Sequence, residues 1–178
     1  MLTLSSDSSV LLVVDFQTRL MPSIAWGEST VPNTRRLIDA AAHVGVPHLF
    51  TEQNAKGLGP TVPDLAPHEP SLVIHKMMFD AVRTPGFLER LPTGAAIVVA
   101  GCEAHVCVLQ TVLGLLEAGR RVFVVRDALG SRRAESKETA LRRMERHGAE
   151  VVTTEMVVFE WLGSAEHPRF RDALALVK

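Results

Sequence analysis

Short apolar runs alternate with helical patterns along this chain. Val10-Leu11-Leu12-Val13-Val14 is continuous and rich in β-branched residues, which predicts a strand buried on both faces and ending at Asp15. The same reading predicts strands over 46–51, 72–75, 95–100, 122–125 and 150–153. Between them the spacing predicts helices over 31–44, 85–91, 104–118 and 135–147, with helical pieces over 156–162 and 168–177. Pro32 is acceptable at the start of the first helix, and Gly45, Gly119 and Gly148 end the helices they follow. The 104–118 helix is apolar over too wide an arc for a surface helix, so burial on most sides is expected. A polar, Gly/Pro-rich stretch over 52–70 is long for a passive link and is expected to carry function.

Strand alternating with helix at this rhythm predicts an α/β fold: a three-layer, doubly wound, six-stranded parallel sheet with helices on both faces. One domain over 1–178 is the simplest reading. In such sheets ligands bind beyond the carboxyl ends of the strands, where the winding reverses. With the order 3-2-1-4-5-6, strands one and four meet at that reversal. Asp15 and the loop leading to Cys107 then share a crevice. Lys76 and Asp127 are the other charged residues that close apolar runs. Lys76 ends an edge strand and has to reach back over strand two.

Composition narrows the classes. Hydrophobic residues make up 47% and charged residues 22%, as in ordinary globular domains, and the net charge of −1 gives no basis for a nucleic-acid or membrane surface. The Arg132-Arg133 and Arg142-Arg143 pairs read as a solvated helix face. Cys102 and Cys107 match neither a disulfide framework nor a zinc spacing, which suits a reducing, cytoplasmic setting. The first nine residues hold no basic residue and no long apolar run, so no targeting signal is expected. No nicotinamide fingerprint follows strand one, where Asp15-Phe16-Gln17 stands, and there is no phosphate-cradling loop. No metal-ligand cluster is evident, and no cofactor is expected.

The chemistry concentrates around Cys107. A run of β-formers stops at Gly101, a helical pattern follows, and Cys107 falls in its first turn. Helix N-terminal amides favour thiolate over thiol, so the position suits a nucleophile; a free cysteine is otherwise a small buried hydrophobe. A carboxylate beside the thiol can take its proton and return it to a leaving amine. An ammonium nearby stabilises the thiolate and keeps the carboxylate ionised. Backbone amides at the helix start can receive an oxyanion. His75 and His105 flank the region and are expected to pack or hydrogen-bond locally; His43 and His48 are expected at the surface. His105 points away from Cys107 as its near neighbour in one helical turn.

Three stretches together resemble the isochorismatase-like cysteine hydrolases, a superfamily that includes nicotinamidases and N-carbamoylsarcosine amidohydrolases. They are Asp15 with Gln17 after the first strand, Lys76 with Phe79 after a short strand, and Gly101 followed at the sixth position by Cys107-Val108. The subgroup of isochorismatase domain-containing proteins is more similar still, through Thr51-Glu52-Gln53, the run 56–63, Glu103-Ala104-His105-Val106-Cys107, Asp127-Ala128 with Ser131-Arg132, and Glu155-Met156-Val157. The resemblance implies Cys107 as nucleophile, Asp15 as general base and then acid, and Lys76 as their electrostatic partner. It also implies a cis peptide at Cys102–Glu103, with the amides of Glu103 and Cys107 as oxyanion hole. Gln17, Gln53, Phe79 and the 52–70 loop are expected to line the substrate pocket, with Trp161 contributed from a neighbouring segment or subunit. Oligomers are common in the family, so a homo-oligomer built through the C-terminal helices is expected.

Departures narrow the substrate. Nicotinamidases carry an Asp-x-His metal stretch where this chain has Thr51-Glu52-Gln53, and true isochorismatases lack the cysteine. The resemblance therefore implies hydrolysis of a small amide or related C–N bond through a thioester, with no metal. Two alternatives stand beside it: isochorismatase-type ether hydrolysis, and a non-catalytic oligomeric binding protein with a redox-sensitive cysteine.

Overall fold

The computed structural model describes residues 2–25 and 27–178. Six parallel strands form one sheet: β1 (Ser9–Val14), β2 (His48–Gln53), β3 (Val73–Lys76), β4 (Ala96–Cys102), β5 (Val122–Gly130) and β6 (Glu150–Val152). Their order is β3-β2-β1-β4-β5-β6, as the alternation of elements predicts. The winding reverses between β1 and β4.

Each central strand sends alternate side chains to opposite faces, so an all-apolar strand feeds two cores. Leu11, Val13, Val98, Ala100, Phe123 and Val125 pack on one face. There they meet α1 (Gly27–Val44) and two later helices, through residues such as Leu37, Val157 and Ala173. Val10, Leu12, Ile97, Val99, Val122 and Val124 pack on the other, with residues such as Val112, Leu115, Leu141 and Met144. A short α2 (Ala55–Leu58) lies in the 52–70 connection. α3 (Leu109–Glu117) and α4 (Ala134–Arg146) cover the second face, and α5 (Thr154–Leu162) and α6 (Phe170–Val177) complete the first. Among the described residues no helix is long and apolar enough to cross a membrane.

Four expectations need correction. α1 begins at Gly27, ahead of position 31, and Pro32 lies inside it, at the cost of one backbone donor. The 85–91 stretch is not an α-helix. It holds the 3₁₀ turn Leu88–Arg90, after a separate one at Ala81–Arg83, because Gly86 takes a left-handed φ of 79°. β5 does not stop at Val125, so Asp127 lies within the strand; its Oδ1 accepts from both the amide and the hydroxyl of Thr154. The helix after β4 opens with a π-helical turn, Ala104–Val108, before α3.

Strand register sets the height of the polar residues. Val14 pairs with Gly101 across β1 and β4, and with Thr51 across β1 and β2. Asp15 therefore emerges level with the turn that leaves β4. β2 runs two residues further, and Gln53 pairs with Lys76. Lys76 thus ends above the rim of β1, high enough for its side chain to cross β2.

Candidate active site

Asp15 is the first residue past β1, fully buried, with a left-handed φ of 53°. Asp tolerates that region better than most residues, at a cost of order 1–3 kcal/mol when the surroundings hold it there. Its two carboxylate oxygens have separate partners. Thr51 Oγ1 donates to Oδ1 at 2.6 Å, and Lys76 Nζ donates to Oδ2 at 2.7 Å. Lys76 and Asp15 together span two strand spacings, roughly 10 Å, and both side chains of the ion pair are 0% exposed. Its ammonium also donates to Gln53 Oε1 at 2.9 Å and to the Phe79 carbonyl at 3.4 Å.

Cys107 sits in the π-helical turn, 6% exposed, with its thiol within hydrogen-bonding reach of the Asp15 carboxylate and the Lys76 ammonium. The three residues singled out in the sequence therefore converge. Gly101 makes the approach possible. A Cβ there would lie 2.6 Å from Val14 Cβ, 2.8 Å from the Val14 carbonyl oxygen and 2.9 Å from Val108 Cγ2. Only glycine lets β1, β4 and the Cys107 turn close to this distance. The Cys102–Glu103 peptide is cis, and the Glu103 carbonyl accepts from the amides of Val106 and Val108.

The thiol's ionisation runs against the helix-terminus argument. Burial pushes the Cys107 thiol up to about 12, and the Asp15 carboxylate pushes the same way against the opposing pull of Lys76. At rest the group is a thiol beside an acceptor carboxylate, because desolvation outweighs the amide field of one short turn. Cys102 is fully buried and raised further still, first by desolvation.

The other named residues take different places. Gln17 is fully buried, and its amide is committed to backbone. Its Nε2 donates to the carbonyls of Gln53 and Gly59, and its Oε1 accepts from the Gln53 amide. That corrects the pocket-lining expectation, since the side chain ties the 52–70 segment to β1. Gln53 accepts from Lys76, and its Nε2 donates to the Met77 carbonyl, so it braces the lysine. Phe79 is 50% exposed, as part of an apolar step with Met77 and Met78 directly after Lys76. Trp161 is buried in the core that α1 and α5 share. Of the histidines, His75 faces Glu52 at 3.4 Å, His105 Nδ1 lies 3.1 Å from Ser131 Oγ, and His43 and His48 are only half-exposed.

Thr51 and Glu52 escaped individual notice. Glu52 Oε1 accepts from the amide and hydroxyl of Thr61, fastening the connection that follows β2. Only their place at the end of a strand neighbouring β1 hinted at these roles. Cavity size and chemistry do not coincide. A surface cavity of about 1270 Å³ opens near the start of α1, among Met21, Ile24, Val31, Arg35, Val62 and Asp64, and none of the three convergent residues lines it.

Comparison with known proteins follows the same lines. Residues 9–156 match the model of the isochorismatase domain. The chain is 36% identical over 177 residues to isochorismatase domain-containing protein 2 of Xenopus laevis, covering 98% of this chain and 85% of that protein. A structure of the MAR1 ribonuclease of Caenorhabditis elegans superposes with a TM-score of 0.88 at 35% identity, over 98% of this chain and 92% of that one. The YcaC gene product of Escherichia coli, an octameric hydrolase of unknown specificity, superposes with a TM-score of 0.86 at 26% identity, over 99% and 88%.

Proposed function

This chain belongs to the isochorismatase family of hydrolases, and from that premise we propose that it is a cysteine hydrolase of a small amide or related C–N bond. The observation that carries this reading is the buried Asp15–Lys76 ion pair with the Cys107 thiol beside it. A thiol held up to about 12 is almost entirely protonated near neutral pH, so attack has to be coupled to proton loss. In this mechanism Asp15 takes the proton as the sulfur bonds to the substrate carbonyl. The amides of Glu103 and Cys107 receive the oxyanion. The C–N bond then breaks, the amine leaves with the proton from Asp15, and an acyl thioester remains on Cys107. Asp15 next deprotonates a water that attacks the thioester, and the acid departs as the thiol regains its proton. Lys76 stays paired with Asp15 between steps, and Thr51 and Gln53 hold the two in register.

We infer that the substrate is a neutral small molecule. Lys76 is spent on Asp15, and the step beside it is Met77-Met78-Phe79, 70%, 48% and 50% exposed. The same apolar step supports assembly of several copies, in line with the octameric relative. Two free, buried cysteines fit a reducing, cytoplasmic setting. Ribonuclease activity, raised by the C. elegans protein, has less support in a chain of net charge −1 whose site lysine is buried in an ion pair. A redox role fits poorly with a thiol so strongly protonated.

The test is ammonia or amine release across a panel of small amides, with intact-protein mass spectrometry of quenched reactions. The expected result is an acyl adduct on Cys107, turnover lost in Cys107→Ala and largely kept in Cys102→Ala. Full turnover in Cys107→Ala refutes the reading.

A further inference from the structure

Two side chains outside the Asp15–Lys76–Cys107 set fasten the nucleophile's turn to the neighbouring strand. Glu103 follows β4 and opens that turn. Its carboxylate, 8% exposed, accepts two hydrogen bonds from one residue. The Arg132 amide donates at 2.9 Å and the Arg132 Nε at 3.1 Å, both to Oε2. Two positions on, His105 meets the Ser131 hydroxyl. Ser131 is itself buried, and its carbonyl accepts from the Ala25 amide at 3.0 Å. The turn is thus held at two points to the end of β5, which is held in turn by the segment leading into α1.

We propose that Arg132 is a positioning residue for acyl transfer, acting through the Glu103 carboxylate to aim the Glu103 amide at the developing oxyanion. The inference rests on the cysteine-hydrolase reading above. A nearly buried carboxylate needs charge compensation as well as hydrogen bonds. Any residue but proline at 132 keeps the backbone donor; only the guanidinium supplies the charge. Without it the carboxylate turns toward water and carries the start of the turn with it. Oxyanion donors work within a narrow range, about 2.7–3.1 Å, so a shift of a few tenths of an ångström is felt in the rate. Cys107 itself stays beside Asp15 and Lys76, because the second tie, His105 to Ser131, still holds the turn.

This predicts a split between two reactions of the same thiol. Acylation by p-nitrophenyl acetate passes through a tetrahedral oxyanion. The S–C bond forms, the thiol proton goes to Asp15, and the C–O bond then breaks as nitrophenolate leaves with the bonding pair. Alkylation by iodoacetamide is a direct displacement of iodide and builds no oxyanion. The wild type should give a nitrophenolate burst that Cys107→Ala lacks; no burst, or an equal one in Cys107→Ala, overturns the cysteine-hydrolase reading itself. Given the burst, Arg132→Met should slow acylation about tenfold to a hundredfold, with alkylation within about twofold of wild type. Arg132→Lys, which restores the charge without the Nε hydrogen bond, should recover part of the acylation rate. If acylation and alkylation fall together, Arg132 is only a brace for the turn. If neither falls, or Lys recovers nothing, the charge-mediated positioning is refuted.

Discussion

Replacing Lys76 by methionine removes one half of an ion pair in which both side chains are 0% exposed. Breaking such a pair from one side leaves an uncompensated buried charge and costs about 3–5 kcal/mol. The two halves should not cost the same. After Lys76→Met the Asp15 carboxylate keeps the Thr51 hydroxyl and the weakly donating Cys107 thiol. After Asp15→Asn the Lys76 ammonium keeps two acceptors, Gln53 Oε1 and the Phe79 carbonyl, and asparagine suits the left-handed backbone at position 15. Lys76→Met should therefore fall at the upper end, about 4–5 kcal/mol, and Asp15→Asn near about 3 kcal/mol. The double variant leaves no buried charge and should be no less stable than the milder single variant. That closes the cycle with a coupling of about 4–5 kcal/mol or more, above the usual range for residues in contact because both charges are buried. Urea unfolding followed by tryptophan fluorescence measures all four proteins, and all three variants should be inactive. Single-variant costs below about 1 kcal/mol, or strict additivity, would show that water reaches the pair and that its burial does not organise the site.

Thr51→Val deletes the donor to Asp15 Oδ1 with little change of shape; it should cost about 1–3 kcal/mol and lower kcat with KM unchanged, and an unaltered kcat would show that Lys76 alone orients the carboxylate. The iodoacetamide rate at Cys107 should keep rising with pH through 9 and 10, because the thiol is held up to about 12; a plateau near 9 would contradict the burial argument. Stability should follow the same group: the native state keeps a proton that the unfolded chain has released between about pH 9 and 12, so stability falls with pH across that window. Cys107→Ala should roughly halve the slope there, the rest coming from the buried Cys102 thiol, and leave the slope below that window unchanged. Gly101→Ala puts a Cβ against the Val14 backbone and the Val108 side chain; overpacking there should cost about 1–3 kcal/mol or more and abolish turnover, as read by urea unfolding and the amide assay.

Much of the architecture was legible because the sheet is parallel and buried. Strands covered on both faces must be apolar throughout, so β1 and β4 announce themselves as unbroken runs, and glycines mark the helix ends. The errors arose where local chemistry was outvoted. Arg126 and Asp127 looked like the end of β5, yet Glu138 and Thr154, brought in by α4 and α5, satisfy them within the strand. Pro85 and Gly86 broke a pattern that otherwise read as helical.

At the site, the sequence by itself determined which groups were available: a carboxylate after β1, a lysine after β3, and a thiol early in the turn after β4. It could not determine that they meet, because the meeting depends on register between strands distant along the chain. Gln53 opposite Lys76 and Val14 opposite Gly101 are tertiary facts. They lift the lysine over β2 and bring the Cys107 turn down onto Asp15. The protonation of Cys107 was likewise decided only by the fold. A helix start argues for thiolate, but desolvation depends on everything packed around the sulfur, and here burial wins.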